Sequence, residues 1–351
     1  MTTAADALTE RIFTSAVATF DIAGIYLGER LGWYRSLAED GPATPDELAG
    51  RTGTDTRYAL EWLEQQAVGG ILEVDGDHRF SLSEDHAAVL VHRESITLMA
   101  PLSRMLVAAF GRLPALVEAY RSGAGIGWEA YGEDMREGQA SFNRPAFTHL
   151  LSTDWLPGVP DVDARLRSDP PARIVDVGCG EGWSTIAIAR AYPKARVVGI
   201  DLDGPSIEAA RRNAGEAGVG GSVEFVHGDA ATLEDGPYDA AIIIEAVHDM
   251  ANPVPVLSAV RGALVDGGSL IVVDERVAEA FAAPGDDLER FMYGWSITTC
   301  LPDGRSRTPS VATGTVMRPS TLRAYAREAG FADVEILPIE NDFFRFYRMR
   351  R

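Results

Sequence analysis

The chain has 351 residues, 46% of them hydrophobic and 24% charged, which is typical of a folded globular protein long enough for two domains. Its 32 basic and 52 acidic side chains give a net charge of -20, so general binding to nucleic acid or an anionic membrane is disfavoured. Its two cysteines, Cys179 and Cys300, are too few for a disulfide framework or a cysteine zinc site.

The first residues of the chain predict its location. Residues 1–10 are polar and acidic, without the basic start and apolar core of a secretory signal. Nothing further along approaches the ~18 uninterrupted apolar residues that a transmembrane helix requires. A soluble cytoplasmic protein is therefore expected.

The first hundred residues are predicted to be mostly helical. Apolar residues recur at helical spacing over residues 12–31, and Thr44-Pro45 followed by two acids is typical of a helix start. A further helix is predicted over Thr56–Val68 and ends at two glycines. Two short strands, at 71–74 and 79–82, then predict a hairpin. Helix, helix and hairpin in this order are typical of a winged helix.

Winged helices often bind DNA, but the charges of this one argue against that role. Residues 46–85 contain three arginines, no lysine and ten acids. The candidate recognition helix carries Glu61 and Glu64 where contacts with phosphates require cations. A dimerisation role is therefore expected, and a transcriptional regulator that binds a small cofactor is kept as the less favoured alternative.

The middle of the chain, residues 99–170, is predicted to be helical with interruptions. It carries Trp128, Met135, Phe142 and Trp155 among glycines and charged residues. These side chains are interpreted either as ordinary packing or as walls of a pocket for an aromatic or otherwise apolar substrate.

From Arg173 onward, apolar strands alternate with helices. The predicted strands cover residues 174–177, 196–200, 223–226, 240–244 and 270–273. Continuous apolar strands separated by helices predict a parallel sheet that is covered on both faces. Two closely spaced strands near the end, 334–337 and 344–349, predict an antiparallel hairpin at one edge.

A glycine-rich turn follows the first of these strands, in Asp176-Val-Gly178-Cys-Gly180-Glu-Gly182. The third glycine of the dinucleotide-binding fingerprint is absent, because Trp183 follows Gly182. The carboxylate of Asp176 beside the turn would repel a pyrophosphate but tolerate a cationic sulfonium. Asp201 ends the next strand, where an acid can accept hydrogen bonds from both hydroxyls of a ribose. Asp229 follows the third strand, where it can accept from an adenine amine.

These segments together resemble the class I S-adenosylmethionine-dependent methyltransferases, in the family's order and spacing. The matching residues are 175–182, 199–201 and 228–230. The resemblance implies an α/β, Rossmann-like, seven-stranded sheet with a reversed last strand, and S-adenosylmethionine over the carboxyl ends of the strands. It implies cofactor contacts at Asp176, Gly178, Gly180, Gly182, Asp201, Leu202, Gly228, Asp229, Ala230 and Glu245.

A base is expected beside the cofactor, because a phenol with a pKa of ~10 is mostly protonated at neutral pH. Of the six histidines, His248 lies just beyond the fourth strand. His248-Asp249 followed by a helix resembles the His-Asp segment of the dimeric small-molecule O-methyltransferases, in which the histidine is the catalytic base. The resemblance further implies that Asp274, at the end of the fifth strand, orients the imidazole.

Two departures from that family leave the chemistry open. Met250 stands where the family has an aromatic residue, and the family's second flanking acid falls near Val316, where this chain has none. The leading hypothesis is O-methylation of a small, aromatic metabolite with His248 as base. An acceptor that ionises unaided, or methylation of nitrogen or carbon, stays possible. No cluster with metal-ligand spacing lies near the cofactor segment, so no metal is expected.

The resemblance extends to the whole chain and implies its domain organisation. A winged-helix-like dimerisation domain is expected at 1–98, a helical linker that contributes to the substrate pocket at 99–170, and the S-adenosylmethionine-binding catalytic domain at 171–351. Phe291, Met292 and Trp295 share a helix face and are either core or a substrate wall. The expected partners are a second copy of the chain and a small-molecule acceptor, without nucleic acid or membrane.

Overall fold

The computed structural model describes residues 3–351, which divide into two units. The first unit contains the described residues up to Ala108 together with Glu133–Pro145. The second contains Ala109–Gly132 and Ala146–Arg351. The segment that the sequence predicts as one helical linker is therefore shared between the two units.

The first unit is helical apart from one short hairpin. Its elements are α1 (Ala4–Arg30), α2 (Trp33–Glu39), α3 (Pro45–Thr52), α4 (Thr56–Val68), β1 (Glu73–Val74), β2 (Phe80–Ser81), α5 (Glu84–Leu90), most of α6 (Ala100–Phe110) and most of α8 (Gly132–His149). As predicted, Thr44 caps α3: its hydroxyl accepts from the Glu47 N–H, and the Glu47 carboxylate accepts from the Thr44 N–H. The predicted hairpin is also present, with Val74 opposite Phe80.

The core of the first unit is built around aromatic rings on α2 and α4. Trp62 contacts Trp33 and Tyr34, with ring centroids 4.8 and 5.0 Å apart. Residues 133–145 join this unit through a buried cation: the Arg104 guanidinium donates to Asp134 and Glu137 at 2.8 and 2.7 Å. A buried arginine is costly unless it is paired, so these contacts hold the segment in place.

The second unit is an α/β sandwich. Its remaining helices are α7 (Leu113–Ser122), α9 (Pro160–Arg167), α10 (Trp183–Ala191), α11 (Gly204–Glu216), α12 (Pro253–Ala263), α13 (Asp287–Trp295), α14 (Leu301–Gly304) and α15 (Pro319–Glu328). Its strands are β3 (Arg173–Val177), β4 (Arg196–Asp201), β5 (Val223–His227), β6 (Tyr238–Ile244), β7 (Leu264–Glu275), β8 (Glu335–Ile336) and β9 (Phe344–Arg350).

The sheet has the predicted topology, with the order β5-β4-β3-β6-β7-β9-β8. Strands β3 to β7 are parallel, and β9 pairs antiparallel with both β7 and β8. Strand β7 is longer than predicted, because Leu264 already pairs with Tyr238 of β6 and the register then shifts before Ser269 pairs with Ala240. Two hydrophobic cores cover the two faces of the sheet. The parallel strands consequently present their carboxyl ends along one edge.

Among residues 3–351, no single helix is long and apolar enough to cross a membrane. Helices α6 and α7 meet that criterion only together, as a bent pair, and by length and composition alone.

Candidate active site

The glycine-rich turn between β3 and α10 is shaped by three left-handed residues. Gly178, Gly180 and Gly182 have φ angles of 75, 52 and 82°. A Cβ on Gly178 would lie 2.8 Å from the Ala246 side chain, and one on Gly182 would lie 2.8 Å from the Phe225 ring. Space is open beside Gly180. The turn is thus tightly packed on its inner side and accessible on its outer side, as a cofactor cradle requires.

Asp201 is fixed by the backbone around it. Its Oδ2 accepts from the Gly180 N–H and its Oδ1 from the Asp203 N–H, both at 2.8 Å. Each carboxylate oxygen can accept more than one hydrogen bond, so both retain capacity for the hydroxyls of a ribose. Burial raises the pKa of Asp201, and the two N–H donors oppose that rise.

The resemblance implies that Asp176 contacts the cofactor, whereas in the structure neighbouring hydroxyl groups of the chain hold its carboxylate. It is buried, and its Oδ2 accepts from the hydroxyls of Ser184 and Thr185, each at 2.6 Å. Burial raises its pKa to about 6, while those hydroxyls lower it. The structure thus places this carboxylate where it ties the end of β3 to the first turn of α10 and so holds the glycine loop.

The other cofactor residues implied by the resemblance lie at neighbouring strand ends. Asp229 accepts from the Ala231 N–H at 2.8 Å and begins a short turn that contains the buried Ala230. Gly228 donates to the Asp201 carbonyl oxygen, and Glu245, with φ 50°, donates its N–H to the Val273 carbonyl. The Leu202 side chain is exposed and offers an apolar surface next to Asp201. This combination of carboxylate acceptors, open loop and apolar surface fits a nucleoside with a cationic tail.

His248 lies beyond the end of β6 and is 2% exposed. Its Nδ1 is 2.9 Å from Asp274 Oδ1 and 3.1 Å from Glu275 Oε2, at the end of β7. Sequence reasoning identified Asp274 and missed Glu275. The resemblance implies a second flanking acid near Val316. In the structure, Asp274 and Glu275, two consecutive residues at the end of β7, both contact the His248 ring.

A third acid faces the other side of the ring. Asp249 Oδ1 is 3.4 Å from His248 Nε2. Cys300 is partly buried, and its sulfur lies within 4.8 Å of a ring nitrogen of His248 and a carboxylate oxygen of Asp249. Among the described residues, the two groups His248-Asp249-Cys300 and His248-Asp274-Glu275 are each close enough to hold a metal ion.

The charges around His248 set its protonation. Burial lowers the pKa of His248, but the charges of Asp249, Glu275 and Asp274 raise it well above its usual value. Burial raises the pKa of Asp274, but the charge of His248 and the hydrogen bonds from His248 and Glu275 together lower it more, so that the pKa of Asp274 lies below normal. Burial raises the pKa of Glu275 well above its usual value. The acids around the ring thus favour its protonated form, so His248 could accept a proton only where the ring is neutral.

Two residues that sequence reasoning did not single out complete this region. Asp303 on α14 accepts from the Trp128 N–H at 2.8 Å, and burial with the charge of Asp249 raises its pKa to about 7. The Tyr131 hydroxyl donates to the Thr298 carbonyl oxygen at 2.8 Å. Burial, followed by the charges of Asp303, Cys300 and Asp249, raises the pKa of Tyr131. No sequence motif marks Asp303, because α14 brings it to the site from more than fifty residues beyond His248.

The predicted substrate-pocket residues fall in different places. Trp128 is partly buried next to Asp303, and the Phe291 and Trp295 rings pack edge to face at 5.8 Å on α13, where Met292 is buried. Trp155 packs in the core against Phe147, Phe344 and Phe346, which is the packing alternative. Met135 and Phe142 belong to the first unit, where Met135 is buried.

Comparison with known families gives two matches. Residues 174–268 match the methyltransferase domain, and residues 22–92 match the Rv2258c-like winged HTH domain. The second match agrees with the winged helix predicted from the order of helices and hairpin.

Similar proteins are found over parts of the chain and over nearly all of it. Trans-aconitate 2-methyltransferase of Streptomyces coelicolor is 33% identical over 39% of this chain and 43% of its own length. The matches to the first curated relatives thus span about half of their length. The N,N-dimethyltransferase OxyT of Streptomyces rimosus is 28% identical over 89% of this chain and 87% of its own. The solved structure of mitomycin 7-O-methyltransferase MmcR covers 99% of both chains with a TM-score of 0.71 at 20% identity.

Proposed function

Because the chain joins a class I S-adenosylmethionine-dependent methyltransferase domain to a winged helix, we propose that it methylates a hydroxyl of a small aromatic metabolite. The observation that carries this proposal is the buried His248 beside Asp274: His248 follows the end of β6, at the same edge of the sheet as the glycine loop after β3 and Asp201 at the end of β4. The cofactor, when bound, would supply an electrophilic methyl group on a sulfonium, and S-adenosylhomocysteine would leave as the acceptor takes that methyl group.

His248 is the proposed general base. Asp274 and Glu275 lie against Nδ1, so Nε2, on the side of Asp249, is the nitrogen proposed to take the proton of the acceptor hydroxyl when the ring is neutral. The oxygen then forms the bond to the methyl carbon as the carbon–sulfur bond breaks. The imidazolium that results is stabilised by Asp274, as an orienting carboxylate does in other histidine-based sites.

Binding of the cofactor is proposed to depend on Asp201. Replacing Asp201 with asparagine is expected to weaken S-adenosylmethionine binding about tenfold or more, because one charged acceptor becomes a donor amide. Isothermal titration calorimetry measures the change. The matched control is Asp266→Asn, which removes one negative charge from the fully exposed start of β7. Unchanged affinity in Asp201→Asn would contradict the proposed cofactor site.

Methylation of nitrogen is the second candidate, favoured by the likeness to an N,N-dimethyltransferase over most of both chains. Transfer of a carbon-13 methyl group to an acceptor that carries both a phenol and an amine separates the two. The fragment mass of the product locates the label on oxygen or nitrogen.

A homodimer is proposed through α1. This helix carries exposed apolar side chains along one stripe: Leu8, Ile12, Phe13, Val17, Phe20 and Leu27. Phe13 and Phe20 are 71% and 72% exposed, which is unfavourable for a helix in water. A second copy of α1 is self-complementary to such a stripe in a two-fold dimer.

Replacing Phe13 and Phe20 together with glutamate is expected to convert the dimer into a monomer, because two charges would be buried without partners. Light scattering coupled to size-exclusion chromatography measures the mass. The control Ala18→Glu places one charge on the opposite face of the same helix and should leave the dimer intact. A wild-type chain that elutes as a monomer would refute the proposal.

The winged helix is proposed to serve assembly and not DNA binding. Glu61 and Glu64 are exposed on α4, and Glu61 pairs with Arg57 and so offsets one of the few cations there. Sequence-dependent retention of DNA at low salt would favour the alternative of a regulator.

A further inference from the structure

One turn of π-helix, Ser296–Cys300, joins α13 to α14, so that residues 287–304 form one continuous helix. In this π-turn the Leu301 N–H donates to the Ser296 carbonyl oxygen, five residues earlier, whereas bonds in an α-helix join residues four apart. The extra residue rotates the side chains that follow it. Such turns are frequent at functional sites, and this one ends beside His248.

Pro302 explains why the helix departs from α geometry here. Proline has no N–H, and its ring clashes with the carbonyl four residues earlier, which belongs to Thr298. The Ile297 carbonyl, five residues before Pro302, likewise lacks the donor that a π-helix would give it. Tyrosine hydroxyls donate to these same two oxygens, that of Tyr131 to Thr298 at 2.8 Å and that of Tyr120 to Ile297 at 2.9 Å. Side chains thus supply the donors that the proline removes.

The two tyrosines differ in burial, and this decides which of them holds the π-turn. Tyr131 is 4% exposed, whereas Tyr120 is 59% exposed. Water can take the place of the exposed hydroxyl at little cost. Loss of the Tyr131 hydroxyl would instead leave a buried carbonyl without this donor, which is the expensive case.

The helix contacts the segment that carries His248 at two points. Cys300, the last residue of the π-turn, has its sulfur within 4.8 Å of a ring nitrogen of His248 and a carboxylate oxygen of Asp249. Gly304, at the end of α14, lies so close to this segment that a Cβ on it would be 3.5 Å from the Asp249 carbonyl oxygen. A change in the π-turn would therefore move Cys300 relative to the imidazole.

From these contacts we propose that Tyr131 is a positioning residue for methyl transfer: its hydroxyl holds the π-turn, and the π-turn holds Cys300 against His248. The thiol takes up space beside the ring and so restricts where the acceptor hydroxyl can lie when it gives up its proton. The catalytic part of this proposal rests on the proposed methyl transfer, whereas the effect of Tyr131 on the π-turn and on the ring can be measured without any acceptor.

Replacing Tyr131 with phenylalanine removes the hydroxyl and keeps the ring. Iodoacetamide is expected to alkylate Cys300 about five- to tenfold faster in this variant, because the loss of one buried hydrogen bond makes local opening of the π-turn easier by that factor. Mass spectrometry of the peptide that contains Cys300 measures the rate. The matched control is Tyr192→Phe, which should leave the rate unchanged. Tyr192 is likewise buried, but its hydroxyl donates to Asp163 on α9, at 2.6 Å, and not to the π-turn.

Replacing Pro302 with alanine tests the cause of the π-turn. The new N–H can donate to the Thr298 carbonyl and so do the work of the Tyr131 hydroxyl. In the Pro302→Ala chain, Tyr131→Phe should therefore change the alkylation rate by less than about twofold, which a double-mutant cycle measures as a coupling between the two residues.

The effect on His248 has a spectroscopic readout. In protein labelled with carbon-13 in the histidine rings, the His248 signal is the one that is lost in His248→Gln. This signal should shift in Tyr131→Phe and stay in place in Tyr192→Phe. With an acceptor that the wild type methylates, kcat should fall about five- to tenfold in Tyr131→Phe while S-adenosylmethionine affinity stays the same.

An unchanged alkylation rate in Tyr131→Phe, or an equal increase in Tyr192→Phe, would overturn the proposal. So would an effect of Tyr131→Phe that persists in full in the Pro302→Ala chain, an unmoved His248 signal, or an unchanged kcat. If the wild type methylates no acceptor while alkylation and the His248 signal both change as expected, only the proposed methyl transfer fails, and the hold of Tyr131 on the π-turn and on the ring is confirmed.

Discussion

Replacing His248 with glutamine is expected to lower turnover by roughly 10²- to 10⁴-fold, the usual contribution of a general base. Glutamine keeps a polar group of similar reach but cannot take a proton at neutral pH. The measurement is the rate of S-adenosylhomocysteine formation, with the acceptor that the wild-type chain turns over fastest in a panel of phenols with and without amines.

The cofactor site should be untouched by that change, because the Asp201 carboxylate is held by the backbone N–H groups of Gly180 and Asp203 and not by His248. S-adenosylmethionine affinity is therefore expected to stay within about twofold of the wild type. His92→Gln provides the matched control, since His92 is partly exposed and pairs only with Glu84 in the first unit. Turnover that survives in His248→Gln would remove the histidine from the mechanism.

Asp274→Asn distinguishes a positioning role from a merely structural one. The amide cannot stabilise the imidazolium, so kcat should fall while KM stays near the wild-type value. The pH–rate profile should also shift to lower pH, because loss of this negative charge lowers the pKa of His248. A uniform loss of folded protein would give none of these signatures.

Much of the fold follows from local patterns in the sequence. The strand β4, the helix α4 and the cap at Thr44 are where the sequence predicts them, because each depends on residues within a few positions. The glycine loop is equally local. Its three left-handed residues tolerate only glycine without strain, so the sequence of the loop already specifies its shape.

The site around His248 was less predictable because it depends on contacts between distant segments. Alternation along a strand sends successive side chains to opposite faces, so Asp274 and Glu275 are not expected to meet the same ring. They do so because β7 ends there, and the Glu275 N–H donates to Asp274 at 3.0 Å. The Asp303 carboxylate accepts from the backbone N–H of Trp128, which lies 175 positions earlier in the chain.

Trp155 is another residue whose role could not be predicted from its local sequence. Its spacing among other aromatic residues was compatible with a pocket wall or with packing, and periodicity cannot separate the two. Its contacts with Phe344 and Phe346, two residues of the last strand, place it in the core. The choice between pocket wall and core therefore depends on the antiparallel strand β9, which lies at the far end of the sequence.

Stability is expected to fall as the pH rises from 5 to 8, contrary to the behaviour of a protein whose acids are salt-bridged. Burial raises the pKa of Asp176 to about 6 and that of Asp303 to about 7. An acid with a raised pKa binds its proton more tightly in the folded chain. The stability that such an acid contributes is present at low pH, and it is lost as the pH rises through the pKa of the acid in the folded chain. The two acids together account for roughly 4 kcal/mol of the free energy of unfolding over this range.

Other buried groups act in the same direction, since the pKa values of Asp201, Asp249 and Glu275 are raised mainly by burial, and that of His248 by the surrounding acids. Asp274, with its lowered pKa, gains stability only on the acid side and does not oppose the trend above pH 5. Urea titrations at pH 5 and pH 8 measure the difference. A free energy of unfolding that is flat or rises over this interval would contradict the protonation pattern of the site.

The variant Asp303→Asn measures how much the ionisation of this one carboxyl group contributes to the pH dependence of the free energy of unfolding. Asparagine resembles the protonated acid and can still accept from the Trp128 N–H, so at pH 5 the variant should be more stable than the wild type by only about 1–2 kcal/mol, which reflects ionisation of Asp303 in the unfolded chain. At pH 8 it should be more stable than the wild type by roughly 2–4 kcal/mol, because no charge has to be kept in a buried position. A gain in stability that grows from pH 5 to pH 8 is the signature of a buried carboxyl group that ionises, whereas the loss of a packing contact would change stability equally at both pH values.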